Sequence, residues 1–296
     1  MWDILTKTIS GTARALRSEH VEHLLIYPVK KGYLDPELIK DVATSAEKNG
    51  FHAFLSWDHY MLPEAPDTLD AWNMLSYVCG LTSQIKLGTV VTPIPFRPPS
   101  HLAKITSTLD HLSNGRSILG VGAGWHKPEF EGFSEWGTPG ERVSKTAEAL
   151  VLITKLWTGN PVNFTGRYYN STNGEICPLP IQPSGPPLWF GVRGKRMLRL
   201  AAKYGEAWIP TNIKSDEYAR GLQQLRDIQE SMGIKRRMKG ALQNFTAFEE
   251  SSKFIDTINM YGSAGCEYYG TVWSYPPNEM VERIEWYAKT IMPETN

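Results

Sequence analysis

Asp58-His59, in the run Ser56-Trp57-Asp58-His59-Tyr60, sets a carboxylate beside the one side chain that titrates near neutrality. Such a pair suits acid/base work: His59 exchanges the proton, and Asp58 holds a neighbouring donor or shifts a pKa. The same pair also suits a plainer role, a helix N-cap beside a surface histidine. His126 and Glu129 stand three apart and either relay a proton or hydrogen-bond within a loop. Gly191-Val192-Arg193-Gly194-Lys195-Arg196 offers backbone N–H groups and cationic side chains to an anion such as a phosphate. A solvated basic turn would read the same way. Gly120, Gly122 and Gly124 alternate at the end of a short apolar run. Removing side chains from one face of a strand end leaves backbone against which a flat ligand can lie, or makes a tightly packed turn. They are no dinucleotide fingerprint, because they come mid-chain and lead into a proline-containing loop. With no HExxH, no Cys/His ligand set and no GxSxG elbow, neither metal nor acyl-enzyme chemistry is indicated.

Composition narrows the partners. Lysine plus arginine and aspartate plus glutamate both number 31 in 296 residues, so the chain carries no net charge. Nothing in that balance attracts nucleic acid or an anionic membrane. Cys79, Cys177 and Cys266 are scattered and unpaired in pattern, as in a cytoplasmic protein with reduced thiols. Met1 to His20 is polar and lacks the apolar stretch of a secretory signal. No apolar run approaches the ~20 residues needed to span a bilayer. Ten tryptophans and thirteen tyrosines supply core and can line a pocket for a flat cofactor.

Strands and helices alternate along nearly the whole chain. Strands are expected at 23–29, 51–57, 85–92, 117–121, 187–192, 207–211, 239–248 and 267–275. Helices are expected at 36–48, 70–83, 98–112, 140–157, 195–204, 215–232, 249–261 and 278–291. Eight such units predict a closed (β/α)8 TIM barrel, with a doubly wound open sheet as the competing arrangement. Residues 1–296 then form a single domain. Residues 1–20 are an N-terminal extension, and 159–187 an insertion after the fourth βα unit, with a small hairpin over 162–169. Active sites of such barrels gather at the C-terminal strand ends. Here those ends are Asp58-His59, Thr89-Val90-Val91, Gly122 to His126, Gly191 to Gly194, Thr211-Asn212 and Trp273.

Several motifs in order resemble the bacterial luciferase-like flavin and deazaflavin oxidoreductases. They include Leu87-Gly-Thr-Val-Val-Thr-Pro93, Leu109-Asp-x-Leu-Ser-x-Gly-Arg116, Gly120-Val-Gly-Ala-Gly-Trp125, Gly140-Glu-Arg142 and Phe164-x-Gly-x-Tyr-Tyr169. The resemblance covers about residues 23–210. It implies a (β/α)8 barrel with its insertion at 159–187, and a non-prolyl cis peptide at Val90-Val91. Asp58-His59-Tyr60 resembles the branch that uses coenzyme F420, an 8-hydroxy-5-deazaflavin, whereas FMN-dependent monooxygenases more often carry Glu-His-His there. For that branch the resemblance implies hydride transfer to or from a small organic substrate, with Asp58, His59 and His126 as catalytic residues. The cofactor is expected against Asp58, Thr89, Val90, Val91, Gly122, Gly124 and Trp125, its phosphate directed at Gly191, Val192, Arg193 and Gly194. The alternative is an FMN-dependent monooxygenase using O2. A homodimer and a separate flavin or F420 reductase belong to the same expectation. The family's sugar-phosphate dehydrogenases have glutamate where Trp125 stands and tryptophan where Pro63 stands, so glucose 6-phosphate is not implied.

Overall fold

The computed structural model describes residues 20–63, 66–245 and 250–295. The polar leader at 1–19, the expected strand residues 246–248 and the expected helix start at Glu249 lie outside them. Eight parallel strands close a barrel: β1 (Glu22–Tyr27), β2 (Ala53–Ser56), β3 (Lys86–Thr89), β4 (Ser117–Gly122), β5 (Leu188–Phe190), β6 (Ala207–Trp208), β7 (Lys239–Asn244) and β8 (Cys266–Val272). Each pairs with the next, and β8 returns to β1 with Glu22 opposite Tyr268 and Ile26 opposite Val272. That closure removes the open-sheet arrangement.

Strand alternation divides the core into two layers. Leu24, Ile26, Leu55, Ile118 and Val272 fill the barrel. Leu25, Tyr27, Phe54, Leu87 and Leu119 point outward against the helices. Those helices are α1 (Pro36–Lys48), α2 (Ala71–Leu81), α3 (Pro99–Leu112), α4 (Lys127–Phe133), α5 (Pro139–Leu156), α6 (Lys195–Tyr204), α7 (Ser215–Ser231), α8 (Ser251–Ser263) and α9 (Met280–Thr290). Local sequence sets their starts. Asp35 accepts from the Glu37 N–H ahead of α1, Asp70 caps α2 through Asn73, and Thr138 with Glu141 forms a capping box on α5. Among the described residues no helix is long and apolar enough to cross a membrane.

Three local expectations differ from the structure. A loop is expected after His126, and α4 stands there instead. Seven residues are too few to display an apolar period, and Pro128 reads as loop although proline suits a first helical turn. The third strand does not run on to Thr92: it stops at Thr89, and Thr92–Pro93 pairs separately with Val121 and Gly122. Between them the Val90–Val91 peptide is cis, at the expected place. The hairpin pairs Val162–Thr165 with Asn170–Gly174, further on than expected, because its second strand is polar and carries no alternating apolar signal. Glu148 of α5 anchors its turn, accepting from the backbone N–H groups of Arg167, Tyr168 and Tyr169 at 3.0, 2.8 and 2.7 Å.

Candidate active site at the barrel mouth

The C-terminal strand ends surround a cavity of about 640 Å³. Apolar side chains dominate its wall, among them Trp57, Val90, Val91, Met197, Ile209 and Phe245. Trp57 and Phe245 stack there at 5.7 Å and 28°.

β2 delivers Asp58 and His59 to different jobs. Asp58 is buried and does not line the cavity. Its Oδ2 accepts from Arg97 Nη1 at 2.8 Å, Thr92 Oγ1 at 2.7 Å and Trp72 Nε1 at 3.1 Å, while Oδ1 accepts from Arg97 Nη2 at 2.7 Å. Burial works against the Arg97 charge, but Asp58 outweighs it and holds the guanidinium more firmly protonated than usual. Asp58, expected at the ring or substrate, has its carboxylate taken up by these three partners instead. Its carboxylate ties the end of β2 to the segment after β3.

His59 does line the cavity. Its Nδ1 lies 3.0 Å from Glu129 Oε2, which leaves Nε2 for a ligand. The other Glu129 oxygen accepts from the Tyr60 N–H and, at 3.3 Å, the Met61 N–H. Burial pushes the Glu129 carboxyl up, yet His59 and those N–H groups overcome it and hold the pKa below the usual carboxylate value. Glu129 comes from α4, the helix absent from the sequence reading. Its partner is His59 rather than His126.

His126 is buried beside this pair but is not part of the cavity wall. Its Nδ1 lies 3.2 Å from the Met61 carbonyl, and its ring stacks on Trp125 at 5.2 Å and 27°. Among the described residues His59, His126 and Glu129 form a group whose ligating atoms lie within 4.8 Å of one another, close enough to suit a cation. Both Glu129 oxygens are already engaged by His59 and by backbone N–H groups.

The glycines serve packing more than they bare a face. A Cβ on Gly120 would stand 2.0 Å from the Thr89 carbonyl, one on Gly122 would stand 2.7 Å from Val91, and one on Gly191 2.9 Å from Val91. At Gly124 (φ +83°) a Cβ would meet Phe130 at 2.4 Å. Gly120, Gly122 and Gly191 let the irregular end of β3 press against β4 and β5, and Gly124 makes room for Phe130 of α4. Gly122, Gly124, Gly191 and Val192 still reach the cavity wall. Thr89 does not: its hydroxyl is buried, 2.9 Å from that of Thr92 and 3.3 Å from the Gly120 N–H.

Arg193 lines the opposite rim and donates to the carbonyls of Thr211 and Asn212, the latter at 3.1 Å. Gly194 caps α6 just outside the wall, with open space beside it. Arg196 turns away to Gly140 and Ser144 of α5, so the expected cluster of cations reduces at the wall to Arg193. Trp273 is likewise elsewhere, packed in the outer layer against Phe51 and Tyr287. Gln243, near the end of the seventh strand, and Phe245, just after it, join the wall instead, and Gln243 accepts from Thr211 Oγ1 at 3.0 Å. The sequence places that strand's end at 248, which hides both. Ending it at the last apolar alternation, near Asn244, would have found them.

The family model described as luciferase-like monooxygenase matches residues 24–253. The F420-dependent hydroxymycolic acid dehydrogenase of Mycobacterium tuberculosis is 33% identical over 170 residues, which is 56% of this chain and 47% of that protein. The phthiodiolone/phenolphthiodiolone dimycocerosates ketoreductase of Mycobacterium bovis is 31% identical over 176 residues, 58% of this chain and 45% of the relative. The chain spans about half the length of these curated relatives. A solved F420-dependent secondary alcohol dehydrogenase, in complex with an F420-acetone adduct, superposes with a TM-score of 0.82 at 19% identity, covering 94% of this chain and 99% of that one. The monooxygenase RslO1 of Streptomyces bottropensis superposes at 0.77 with 16% identity, covering 93% of this chain and 100% of the other. At such identities the likeness speaks for the fold.

Proposed function

Because this chain belongs to the luciferase-like monooxygenase family, we propose that its barrel mouth serves hydride transfer between coenzyme F420 and a small organic substrate. The observation that carries this is His59: a ring held through Nδ1 by a buried carboxylate, at the edge of an apolar cavity. Relatives named for F420 support the choice of cofactor.

The residues present fit such a group. A cavity of about 640 Å³ lies within the range of small-molecule sites, and its apolar walls suit a planar ring system. Val90, Val91, Gly122 and Gly124 would hold the ring, and the backbone of 191–194 with Arg193 would hold the phosphate. When bound, the deazaflavin supplies or accepts the hydride. His59 Nε2 gives a proton to the substrate oxygen when a carbonyl is reduced, and takes one when an alcohol is oxidised. Glu129 fixes the ring's orientation by holding Nδ1. Asp58 supports the pocket from behind through Arg97 and Thr92. His126 backs the site as a second acid/base group.

The second reading is FMN with O2, favoured by the family model's own description and by monooxygenases among structures of similar shape. Oxygen separates the two. With reduced F420 and a panel of ketones and aldehydes, turnover should proceed unchanged without oxygen. An absolute oxygen requirement with reduced FMN would move the protein to the second reading. The same proposal includes one cytoplasmic barrel domain carrying the 159–187 insertion, a homodimer in solution, and a separate reductase that recycles the cofactor.

A further inference from the structure

We infer that the substrate is uncharged and that its apolar body lies on the indole of Trp125, with its oxygen function at His59. This rests on the hydride-transfer reading above. Trp125 lines the cavity yet is 64% exposed. A large aromatic surface left open at the edge of a pocket is area for a ligand to cover. The indole is not loose. It stacks on His126 and meets the His59 ring edge-on at 5.6 Å and 78°, so the two rings present a continuous corner. Leu62 and Pro63 extend the same wall.

Charge selects the substrate class. Among the described residues, three ionisable side chains line the cavity: His59, Glu129 and Arg193. Glu129 is fully engaged by His59 and two backbone N–H groups. Arg193 stands after β5, not in the loop after β2 that carries His59, and donates to the carbonyls of Thr211 and Asn212 after β6. Thr211 and Gln243 hydrogen-bond each other. Beside Trp125, then, among the described residues that line the cavity, no fixed cation meets a carboxylate or phosphate, and no open anion meets an ammonium. A charged substrate body would shed its water without replacement, whereas an apolar one gains with each methylene it buries.

Calorimetric binding of neutral 2-alkanones from four to ten carbons, and of their terminal carboxylates, tests this on the protein with and without F420. Affinity should rise about fourfold per methylene over the first additions. The carboxylates should bind about tenfold or more weakly than neutral ketones of equal length. Trp125→Ala should flatten the chain-length slope and Trp125→Leu should retain part of it, on the protein without F420 as well as with it. Carboxylates binding as well as the ketones, or a slope indifferent to Trp125→Ala, would overturn the inference. A protein that keeps the slope but does not bind F420 would lose the hydride-transfer reading while supporting the apolar wall.

Discussion

The two neighbours Asp58 and His59 share a motif and divide its work. Asp58 accepts four hydrogen bonds, from Arg97, Thr92 and Trp72, and does not line the cavity. His59 keeps one nitrogen for the cavity because Glu129 holds the other. His59→Ala should therefore bind F420 nearly as the parent does, while turnover falls by about 10²–10⁴-fold. Unchanged turnover would transfer the proton step elsewhere, His126 being nearest. Glu129 makes a separate contribution to stability. Its folded pKa lies below the ordinary value, so the unfolded chain binds more protons in the interval between them. Stability from this group is complete above the ordinary carboxylate range and is lost as pH falls through the lowered folded value. Glu129→Gln should flatten that acid-side loss in denaturant titrations, and an unchanged pH profile would show that the carboxylate is not held as described. The histidine was legible from the sequence, since its type and strand-end position suffice. Its carboxylate partner was not, because Glu129 lies 70 residues on, in a helix too short to show a period.

At the scale of elements, alternation made the barrel readable: every expected strand and long helix has a counterpart, with ends shifted by a few residues. What sequence pattern cannot carry is the close approach between elements. Gly120, Gly122 and Gly191 look like a cradle for a ligand, but their missing Cβ atoms make room for Thr89 and Val91. Gly120→Ala should accordingly cost at least about 1–3 kcal/mol, since a backbone carbonyl at 2.0 Å has nowhere to retreat. Gly132 in α4 has nothing within 4 Å, and Gly132→Ala should stabilise by about 0.5–1 kcal/mol through helix propensity. Equal effects of the two substitutions on the thermal midpoint would contradict the packing account. Arg116 illustrates the same limit. It reads as a motif residue, yet it is buried and ties the start of β4 to the carbonyls of Cys79, Thr82 and Ile85.

The whole molecule depends on joining its first strand to its end. His23 of β1 is buried between the Tyr287 hydroxyl of α9, 2.9 Å from Nδ1, and Thr295 Oγ1, 3.2 Å from Nε2. Burial, with His20 nearby, lowers its pKa from 6.5 to about 4. Between those values the unfolded chain binds the extra proton, so stability rises with pH across that window and is fully present above it. The loss on acidification from pH 7 to 4 is about 3 kcal/mol for this group. His23→Gln, which keeps a polar partner without the titration, should lose less over the same window. Equal losses would place the acid sensitivity elsewhere. Closure of the barrel was foreseeable from eight repeating units, but this polar seam was not, because its partners are separated by 264 and 272 residues. Function at this scale comes down to which cofactor the mouth accepts. Absorbance titration of the purified protein with coenzyme F420 and, in parallel, with FMN measures that directly. F420 should bind saturably in the micromolar range with a perturbed deazaflavin spectrum, and FMN much more weakly. Tight FMN binding with no spectral response to F420 would contradict the F420 reading.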